Sequence, residues 1–447
     1  MPTHPNILFL FSDQQRPDTM GCYGQALPVT PCLDALAATG TRFTQAFTCQ
    51  PVCGPARAAL QTGKYATQTG CFRNDIALPT NERTMAHLLS DVNYEVGYIG
   101  KWHLASSGAA QNYQTKPVPA HLRGGYRDYW LAADVLEFTS HGYDGQMFDG
   151  DGKARVFPAG RYRVDAQTDF VLDYLRSRRS ERPFFLFTSY IEPHHQNDHD
   201  CFEGPHNSKD LFGHFQAPDD LAGTGGDWRE QYPDYLGCCH SLDTNVGRII
   251  DELKRLGCFD NTLLIYTSDH GNHFRTRNSE YKRSCHDASI HIPLIMHGPG
   301  FTGGKVNNAL VSLLDLPPTV LQAGGVAPPA YMAGYPLQAL ADGSAPAWRD
   351  AVFVQISEDH VGRALRTEKW KYSVWAPSEV PWSGCQNPGS DVYVEQCLYD
   401  LEEDPYERNN LVTLPEWTMV RQELATRLQR LIVEAGEPTA TILPAPG

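Results

Sequence analysis

The segment Cys53-Gly54-Pro55-Ala56-Arg57 places a thiol and a guanidinium at a fixed offset, just before a predicted helix. A cysteine thiolate is a strong nucleophile, and an arginine one helical turn later can pair with an anionic substrate. A single cysteine more often packs as a small buried hydrophobe. Because polar residues at several distant positions complete a consistent pattern, we favour a nucleophilic role for Cys53.

Chemically active side chains also follow four apolar runs that we predict to be strands. These runs alternate with helix-like segments, which favours an α/β fold with a large, mostly parallel sheet sandwiched by helices. Ligands in such folds bind beyond the carboxyl ends of the strands. We therefore expect one cleft lined by Asp13 after Ile7–Phe11, Lys101 after Glu95–Ile99, His194 after Phe184–Tyr190, and Asp269 and His270 after Leu263–Ser268.

Two of these strand ends carry adjacent donor residues, Asp13-Gln14 and Asp269-His270. A lone acid after a strand is often only a turn or helix cap. Two such ends with carboxylate and imidazole donors instead favour a divalent cation site. Carboxylate oxygens favour Ca²⁺, Mg²⁺ or Mn²⁺, whereas imidazole shifts the preference towards Mn²⁺ or Zn²⁺.

The remaining pattern divides the chain into a catalytic α/β domain over residues 1–345 and a smaller α+β subdomain over residues 346–447. Weakly periodic regions at 111–161 and 199–228 are predicted to be loops that form the walls of the cleft. The subdomain is predicted to be a small antiparallel sheet with a covering helix. The further predicted elements are a strand at Leu294–His297, helices at Cys32–Ala38, Arg57–Thr62, Thr84–Asp91, Ala166–Arg178, Tyr235–Leu256 and Leu314–Ala323, subdomain strands at Ala351–Ile356, Gly362–Thr367, Trp370–Trp375 and Gln396–Asp400, and a subdomain helix over 415–435.

The composition argues against several classes of function. The 447 residues carry a formal net charge of -15, which disfavours binding to nucleic acid or to anionic membrane surfaces. No apolar run reaches the roughly 18 residues of a membrane span. The N-terminus lacks the features of a signal peptide, so we predict a cytoplasmic protein or a chain that begins at a mature end. The 12 cysteines are scattered without a C-x-x-C pair, which argues against a disulfide scaffold and a structural zinc site.

Several motifs resemble those of the type I, formylglycine-dependent sulfatases of the alkaline phosphatase superfamily. The resemblance spans most of residues 5–320 and implies an alkaline-phosphatase-like fold and sulfuric ester hydrolysis. The matching segments are Cys53–Arg57 continuing to Leu60, Thr62 and Gly63 (the family's C-x-P-x-R-x-x-L-x-T-G), Pro5–Leu8 running into Ser12-Asp13, Gly100–His103, Glu192–His194, Thr267–Gly271, and the tail Leu398–Leu401.

The resemblance also implies a cofactor chemistry and a role for each site residue. It implies that Cys53 is oxidised by a formylglycine-generating maturation enzyme and that the hydrated aldehyde attacks sulfur. It implies a divalent metal, with calcium first and manganese or magnesium as alternatives. The implied roles are metal binding for Asp13, Gln14, Asp269 and His270, contact with the hydrate for Arg57, Lys101 and His103, general acid catalysis for His194, sulfate binding for Lys282 and Asn74, and substrate contact for His286.

Two departures from the family pattern keep alternatives open. Ala56 stands where many members carry serine, and the Asp-Gln and Asp-His pairs are similar to those of choline sulfatases and of phosphonate and phosphodiester hydrolases. We expect a sulfatase that acts on a sulfated carbohydrate or another small sulfate ester. A phosphonate monoester or phosphodiester hydrolase is the enzymatic alternative, and a non-catalytic binder of sulfated glycans is a third. The sequence leaves open whether the chain forms a homo-oligomer.

Overall fold

The computed structural model describes residues 4–345, 347–377 and 385–446, and its core is a 12-stranded mixed sheet. The strands are β1 (Asn6–Ser12), β2 (Thr41–Phe47), β3 (Glu95–Lys101), β4 (Tyr129–Ala133), β5 (Ser140–His141), β6 (Asp144–Asp149), β7 (Ala154–Val156), β8 (Phe184–Ser189), β9 (Thr262–Ser268), β10 (His291–Ile292), β11 (Leu294–His297) and β12 (Lys305–Ser312).

The centre of this sheet is parallel. Strand β1 pairs in parallel with β8 on one side and β9 on the other, and β3 and β4 extend the parallel run beyond β8. Antiparallel pairs, such as β11 with β9 and β6 with β4, lie towards the two edges. The predicted α/β fold with a mostly parallel sheet is therefore confirmed.

Helices cover both faces of the sheet, which explains why its central strands are buried and mostly apolar. All seven residues of β1 are buried, and Phe9 stacks on Phe187 of β8 with ring centroids 4.6 Å apart. One core layer includes Leu60, and the opposite layer includes Leu172. The helices are α1 (Pro31–Thr39), α2 (Cys53–Thr62), α3 (Ala66–Thr69), α4 (Met85–Asp91), α5 (Arg163–Ser177), α6 (Ser208–Phe212), α7 (Trp228–Arg255), α8 (Asp287–Ile290), α9 (Leu316–Ala323), α10 (Gln338–Ala341) and α11 (Thr418–Glu434).

The largest differences between predicted and observed helix starts are at α2 and α7. Helix α2 begins at Cys53 rather than Arg57, because Pro55 lies in the first turn, where the missing amide hydrogen costs no helical bond. Helix α7 begins at Trp228 rather than Tyr235 and contains Pro233. A proline inside a helix disfavours it, but burial of the first turns of α7 against the body of the domain overrides this cost.

The prediction of a long loop over 111–161 is wrong in part, because β4 to β7 lie in this region. Strands β2 and β12 were also absent from the prediction. These are short or partly exposed strands in which polar and apolar residues mix, as in the segment Thr41–Phe47. Such a pattern is weak over so few residues, so the pairing partner decides the structure. The region 199–228 contains α6 and is otherwise irregular.

A second, five-stranded sheet follows the large one. Its strands are β13 (Ala351–Ile356), β14 (Gly362–Thr367), β15 (Trp370–Trp375), β16 (Val392–Asp400) and β17 (Thr441–Leu443), and the pairing is antiparallel except between β16 and β17. Helix α11 packs on this sheet through a shared apolar cluster. The boundary at residue 345 stays a prediction. Within the described ranges, no helix has both the length and the apolar character to cross a bilayer.

Candidate active site

Three strands and one helix bring their ends together around Cys53. Asp13 directly follows β1 and Asp269 directly follows β9, and the parallel register of these strands makes the two carboxylates leave the sheet side by side. Lys101 is the last residue of β3, and Cys53 is the first residue of α2. The sheet therefore delivers acids and a lysine to the N-terminus of a helix.

The Cys53 side chain lies in an electropositive environment. Its Sγ atom is 2.9 Å from Lys282 Nζ, 3.2 Å from His270 Nε2 and 3.4 Å from Asp13 Oδ1. Burial disfavours the thiolate, but the charges of Lys282 and Lys101 outweigh it and hold the pKa of the Cys53 thiol well below its usual range. The first position of a helix also favours negative charge. The site therefore stabilises an anion at position 53.

Asp13 is held by two buried cations. Arg57 Nη2 and Lys101 Nζ lie 3.0 Å and 2.9 Å from the same oxygen, Asp13 Oδ2. Arg57 also donates to the Lys101 carbonyl at 3.0 Å and to Ser189 Oγ at 2.7 Å, and Lys101 Nζ is 3.2 Å from Glu137 Oε1. Burial alone would raise the pKa of Asp13, yet the charge of Lys101 helps to hold it well below its usual range. This network fixes the long side chains in position.

Lys282 connects two histidines on the open side of Cys53. Its Nζ lies 3.1 Å from His194 Nε2 and 3.2 Å from His270 Nε2. Burial and the charge of Lys282 lower the pKa of His194, so this imidazole is neutral near pH 7. An ammonium group between two imidazoles is suited to receive an anionic oxygen.

The acidic residues of the site fit a divalent cation. Donor atoms of Asp13, Cys53, Asp269 and His270 all lie within 4.8 Å of one another. Burial and the adjacent charge of Asp13 raise the pKa of Asp269 to about 6. Among the described residues, Asp269 Oδ2 accepts no hydrogen bond, although Arg57 Nη2 is 3.5 Å away. Two buried carboxylates that repel each other, one with an unpaired oxygen, form a donor set that a cation would neutralise.

Gln14 and His103 approach the same cluster on unusual backbone. Gln14 has a φ of 69° and its N–H donates to Asp269 Oδ1 at 3.0 Å, while its side-chain Nε2 is buried without a hydrogen-bond partner in the described part of the chain. His103 has a φ of 59°, and it helps to lower the pKa of the Cys53 thiol. Residues that keep a left-handed conformation without being glycine cluster at functional sites. Metal binding by Gln14 stays a prediction.

Asn74 lies beside the first turn of α2. The Gly54 N–H donates to Asn74 Oδ1 at 2.9 Å, which leaves the amide NH₂ of Asn74 to donate elsewhere. A Cβ atom at Gly54 would lie only 2.9 Å from that same oxygen, so a larger residue would displace Asn74. The structure thus places Asn74 next to Cys53, as its predicted role in sulfate binding requires.

His286 is not brought into the Cys53 cluster. Its Nε2 lies 3.2 Å from the Tyr399 hydroxyl, and its ring packs against the Tyr399 ring with centroids 5.6 Å apart. It caps the short helix α8 and faces the second sheet. Substrate contact by His286 stays a prediction, and its surroundings favour a role outside the Cys53 cluster.

Three residues of the site were missing from the sequence-based set: Glu137, Ser189 and Glu358. Glu137 and Ser189 bond the buried cations, and nothing in their local sequence distinguishes them. Glu358 also lacked a local signal, because Ser357 separates it from the end of β13, whereas Asp13 directly follows β1. It has a φ of 69°, accepts the Asn74 N–H at 2.7 Å, and pairs with Arg283 at 2.5 Å.

Glu358 therefore links the second sheet to Asn74 and to Arg283, the residue next to Lys282. We expect it to hold the predicted sulfate-binding residues Asn74 and Lys282 in position. Replacing Glu358 by alanine should lower kcat/KM about 10- to 100-fold, because Asn74 and the segment that carries Lys282 lose a shared anchor. Glu358→Gln should recover part of the loss, since an amide oxygen still accepts the Asn74 N–H. Steady-state kinetics of both variants check this expectation.

The matched control is Glu368→Ala, an exposed glutamate that precedes β15 in the same sheet. It should leave kcat/KM unchanged. Equal losses in Glu358→Ala and Glu358→Gln would indicate that only the ion pair with Arg283 matters, and no loss in either variant would contradict the positioning role.

Two protein-family models match this chain, and several characterised proteins are related to it in sequence. Residues 5–326 match the model described as Sulfatase, and residues 279–383 match that of the N-sulphoglucosamine sulphohydrolase C-terminal region. An ulvan-active sulfatase of Formosa agariphila is 29% identical over 98% of this chain and 82% of its own length. The N-acetylglucosamine-6-O-sulfatase of Bacteroides thetaiotaomicron is 25% identical over 95% of this chain and 86% of its own length.

Solved structures show the same fold. A Bacteroides thetaiotaomicron protein of glycosaminoglycan metabolism has a TM-score of 0.83 at 24% identity and covers 97% of both chains. The phosphonate monoester hydrolase of Agrobacterium radiobacter has a TM-score of 0.74 at 23% identity and covers 96% of both chains. At these identities, the likeness concerns the fold alone. The match of the Sulfatase model to most of the chain shows more: the chain belongs to the sulfatase family of the alkaline phosphatase superfamily and is a sulfuric ester hydrolase.

Proposed function

We propose that this protein removes sulfate from a sulfated carbohydrate, with formylglycine formed from Cys53 as the source of the nucleophile and a divalent cation as cofactor. The observation that carries the proposal is the position of Cys53, whose Sγ lies between Lys282 Nζ at 2.9 Å and the Asp13 carboxylate at 3.4 Å. The ulvan-active and N-acetylglucosamine-6-O-sulfatase relatives support a sugar as the substrate class.

The cation would be held by Asp13, Asp269 and His270, with Gln14 beside them. When bound, it supplies Lewis-acid charge against the sulfate oxygens. Calcium is the first choice because the two carboxylates are hard donors, and manganese is the alternative because an imidazole joins them. Metal content of purified enzyme, and recovery of activity after chelation with Ca²⁺ or Mn²⁺, distinguish the two.

The chain's own residues supply the charges that sulfate transfer requires. Negative charge grows on the sulfate and leaving oxygens as the ester bond breaks, so preorganised donors around them lower the barrier. Lys282 and the free amide of Asn74 are placed to bind sulfate oxygens. Arg57 and Lys101 hold Asp13 in position and add positive charge beneath residue 53. His103, which helps to lower the pKa of the Cys53 thiol, is the candidate to orient the group at position 53.

His194 is the candidate general acid for the leaving oxygen. Its Nε2 lies 3.1 Å from Lys282 Nζ, the ammonium group that would bind a sulfate oxygen. In the free enzyme, burial and Lys282 lower its pKa, which disfavours the protonated form. A sulfate anion bound at Lys282 would offset that charge and favour protonation of His194. The acid would then be formed when substrate arrives.

We expect His194→Ala to slow esters with poor leaving groups more than those with good ones. An alcohol-like sugar oxygen needs a proton as it departs, so kcat should fall about 10²- to 10⁴-fold on a sugar sulfate. A nitrophenyl-type sulfate leaves without a proton, and its kcat should change far less. Kinetics over a leaving-group series test this, and equal losses across the series would remove His194 as the acid.

The alternative is phosphonate monoester or phosphodiester hydrolysis. The observation that favours it is that His270 lies among the candidate metal donors. A paired assay of one enzyme preparation on aryl sulfate, phosphodiester and phosphonate esters separates the two. Faster turnover of sulfate esters supports the proposal, and a screen of defined sulfated sugars then identifies the substrate. Peptide mass spectrometry that finds only unmodified Cys53 in active enzyme would reject the formylglycine scheme.

A further inference from the structure

A second group of metal-type donors lies outside the active site. Donor atoms of Cys285, His286 and Cys397 are all within 4.8 Å of one another. Cys285 is 2% exposed and comes just before α8, whereas Cys397 is 7% exposed and belongs to β16 of the second sheet. The two thiols come from distant parts of the chain and meet in one apolar cluster between the sheets.

The imidazole in this group is arranged as a ligand. His286 Nε2 lies 3.2 Å from the Tyr399 hydroxyl, while Nδ1 is buried and has no hydrogen-bond partner among the described residues. Burial and the charge of Arg277 hold the pKa of His286 well below its usual range, so the ring is neutral. Metal-binding histidines characteristically bond a partner through one nitrogen and the metal through the other.

Four of the charged residues nearby are already paired with each other. Lys371 Nζ lies 2.6 Å from Asp287 Oδ1 and 2.6 Å from Glu407 Oε1, and Arg366 Nη2 lies 3.3 Å from Asp287 Oδ2. These acids therefore neutralise the cations beside Cys285. If Cys285 and Cys397 were both thiolates, their buried negative charge would require a further cation, bound directly between the two sulfur atoms.

We propose that Cys285, His286 and Cys397 bind one thiophilic divalent cation, with Zn²⁺ as the preferred ion. Two thiolates and an imidazole are soft and borderline donors that select zinc over the hard ions suited to the carboxylates of the active site. The site would fasten the segment that carries Lys282, three residues before Cys285, to the second sheet. It would thus stabilise the assembled active site without taking part in the chemistry.

The test uses Cd²⁺, whose bonds to thiolate give an ultraviolet charge-transfer band. The full chain carries Cys53→Ser, so that the active site offers no thiolate, and is treated with chelator before titration. We expect the band to saturate at one Cd²⁺ per chain and the ion to raise the Tm. Cys285→Ser or Cys397→Ser, added to this background, should abolish the band and weaken binding at least about 100-fold.

The matched control is Cys71→Ser in the same background, which should leave the titration unchanged. Cys71 is fully buried and belongs to none of the metal-type donor clusters among the described residues. His286→Gln serves as a third ligand variant if a cysteine variant does not fold, and it should weaken Cd²⁺ binding with folding retained. Absence of the band in the background protein, or a band that survives the ligand substitutions, would overturn the proposal. So would a Cys285–Cys397 disulfide found by mass spectrometry in protein purified without reductant.

Discussion

Replacing Cys53 by alanine should lower kcat on sulfate esters at least about 10⁴-fold, because a methyl group can neither be converted to an aldehyde nor attack sulfur. The cations around position 53 remain, so substrate should still bind. Indeed, removal of a group that Lys282 now contacts at 2.9 Å frees that lysine for the sulfate. The expected signature is therefore lost turnover with retained ligand binding, measured by kinetics and by calorimetry with a sulfated sugar.

Cys71→Ala is the matched control, since Cys71 is also a fully buried thiol but belongs to the apolar core. It should cost stability of about 1 kcal/mol and leave kcat nearly unchanged. A Cys53→Ala enzyme that keeps more than about a hundredth of the normal kcat would show that position 53 is not the nucleophile. Equal losses in both variants would point to general destabilisation.

Asp13→Asn should remove both the bound metal and part of the stability of the fold. Arg57 Nη2 and Lys101 Nζ lie 3.0 Å and 2.9 Å from its carboxylate, and all three side chains are at most 2% exposed. Breaking a buried ion pair costs about 3–5 kcal/mol. We expect the lower end of that range, because Glu137 and Asp269 remain as partial partners for the two cations.

Metal analysis of purified protein and denaturant unfolding measure the two effects separately. Asp243→Asn is the matched control, because buried Asp243 accepts backbone N–H groups from Leu33 at 2.7 Å and Cys32 at 3.1 Å and belongs to none of the metal-type donor clusters among the described residues. An amide keeps one acceptor oxygen there, so this variant should lose about 1 kcal/mol and no metal. Wild-type metal content in Asp13→Asn would contradict the assignment of the ion to this site.

Much of the site could be predicted because its residues follow a simple positional rule. Asp13, Lys101 and Asp269 each come at the carboxyl end of an apolar run, and parallel strands bring such ends to one edge. The apolar runs themselves are clear in the sequence, since central strands are buried on both faces. The edge strands β2 and β12 were missed because their polar and apolar residues mix, and pairing rather than local pattern makes them strands.

Other parts of the site follow no local rule. Glu137 is recognisable only as the acid that buried Lys101 contacts, at 3.2 Å. Glu358 acts through Asn74 and Arg283, neither of which lies near it in the chain. Their importance depends on distances that no spacing in the sequence encodes.

By itself, the sequence determined the fold class and the family, and it predicted Cys53 as the reactive position, because those depend on residue types and short offsets. Only the tertiary structure decided that His286 faces Tyr399 rather than Cys53, and that Cys285 meets Cys397 in spite of the absence of a C-x-x-C pair. The physical reason is that a donor group is defined by atoms within a few ångströms. Contacts between separate sheets depend on how the whole chain packs, so they cannot be predicted from the residues that are adjacent in sequence.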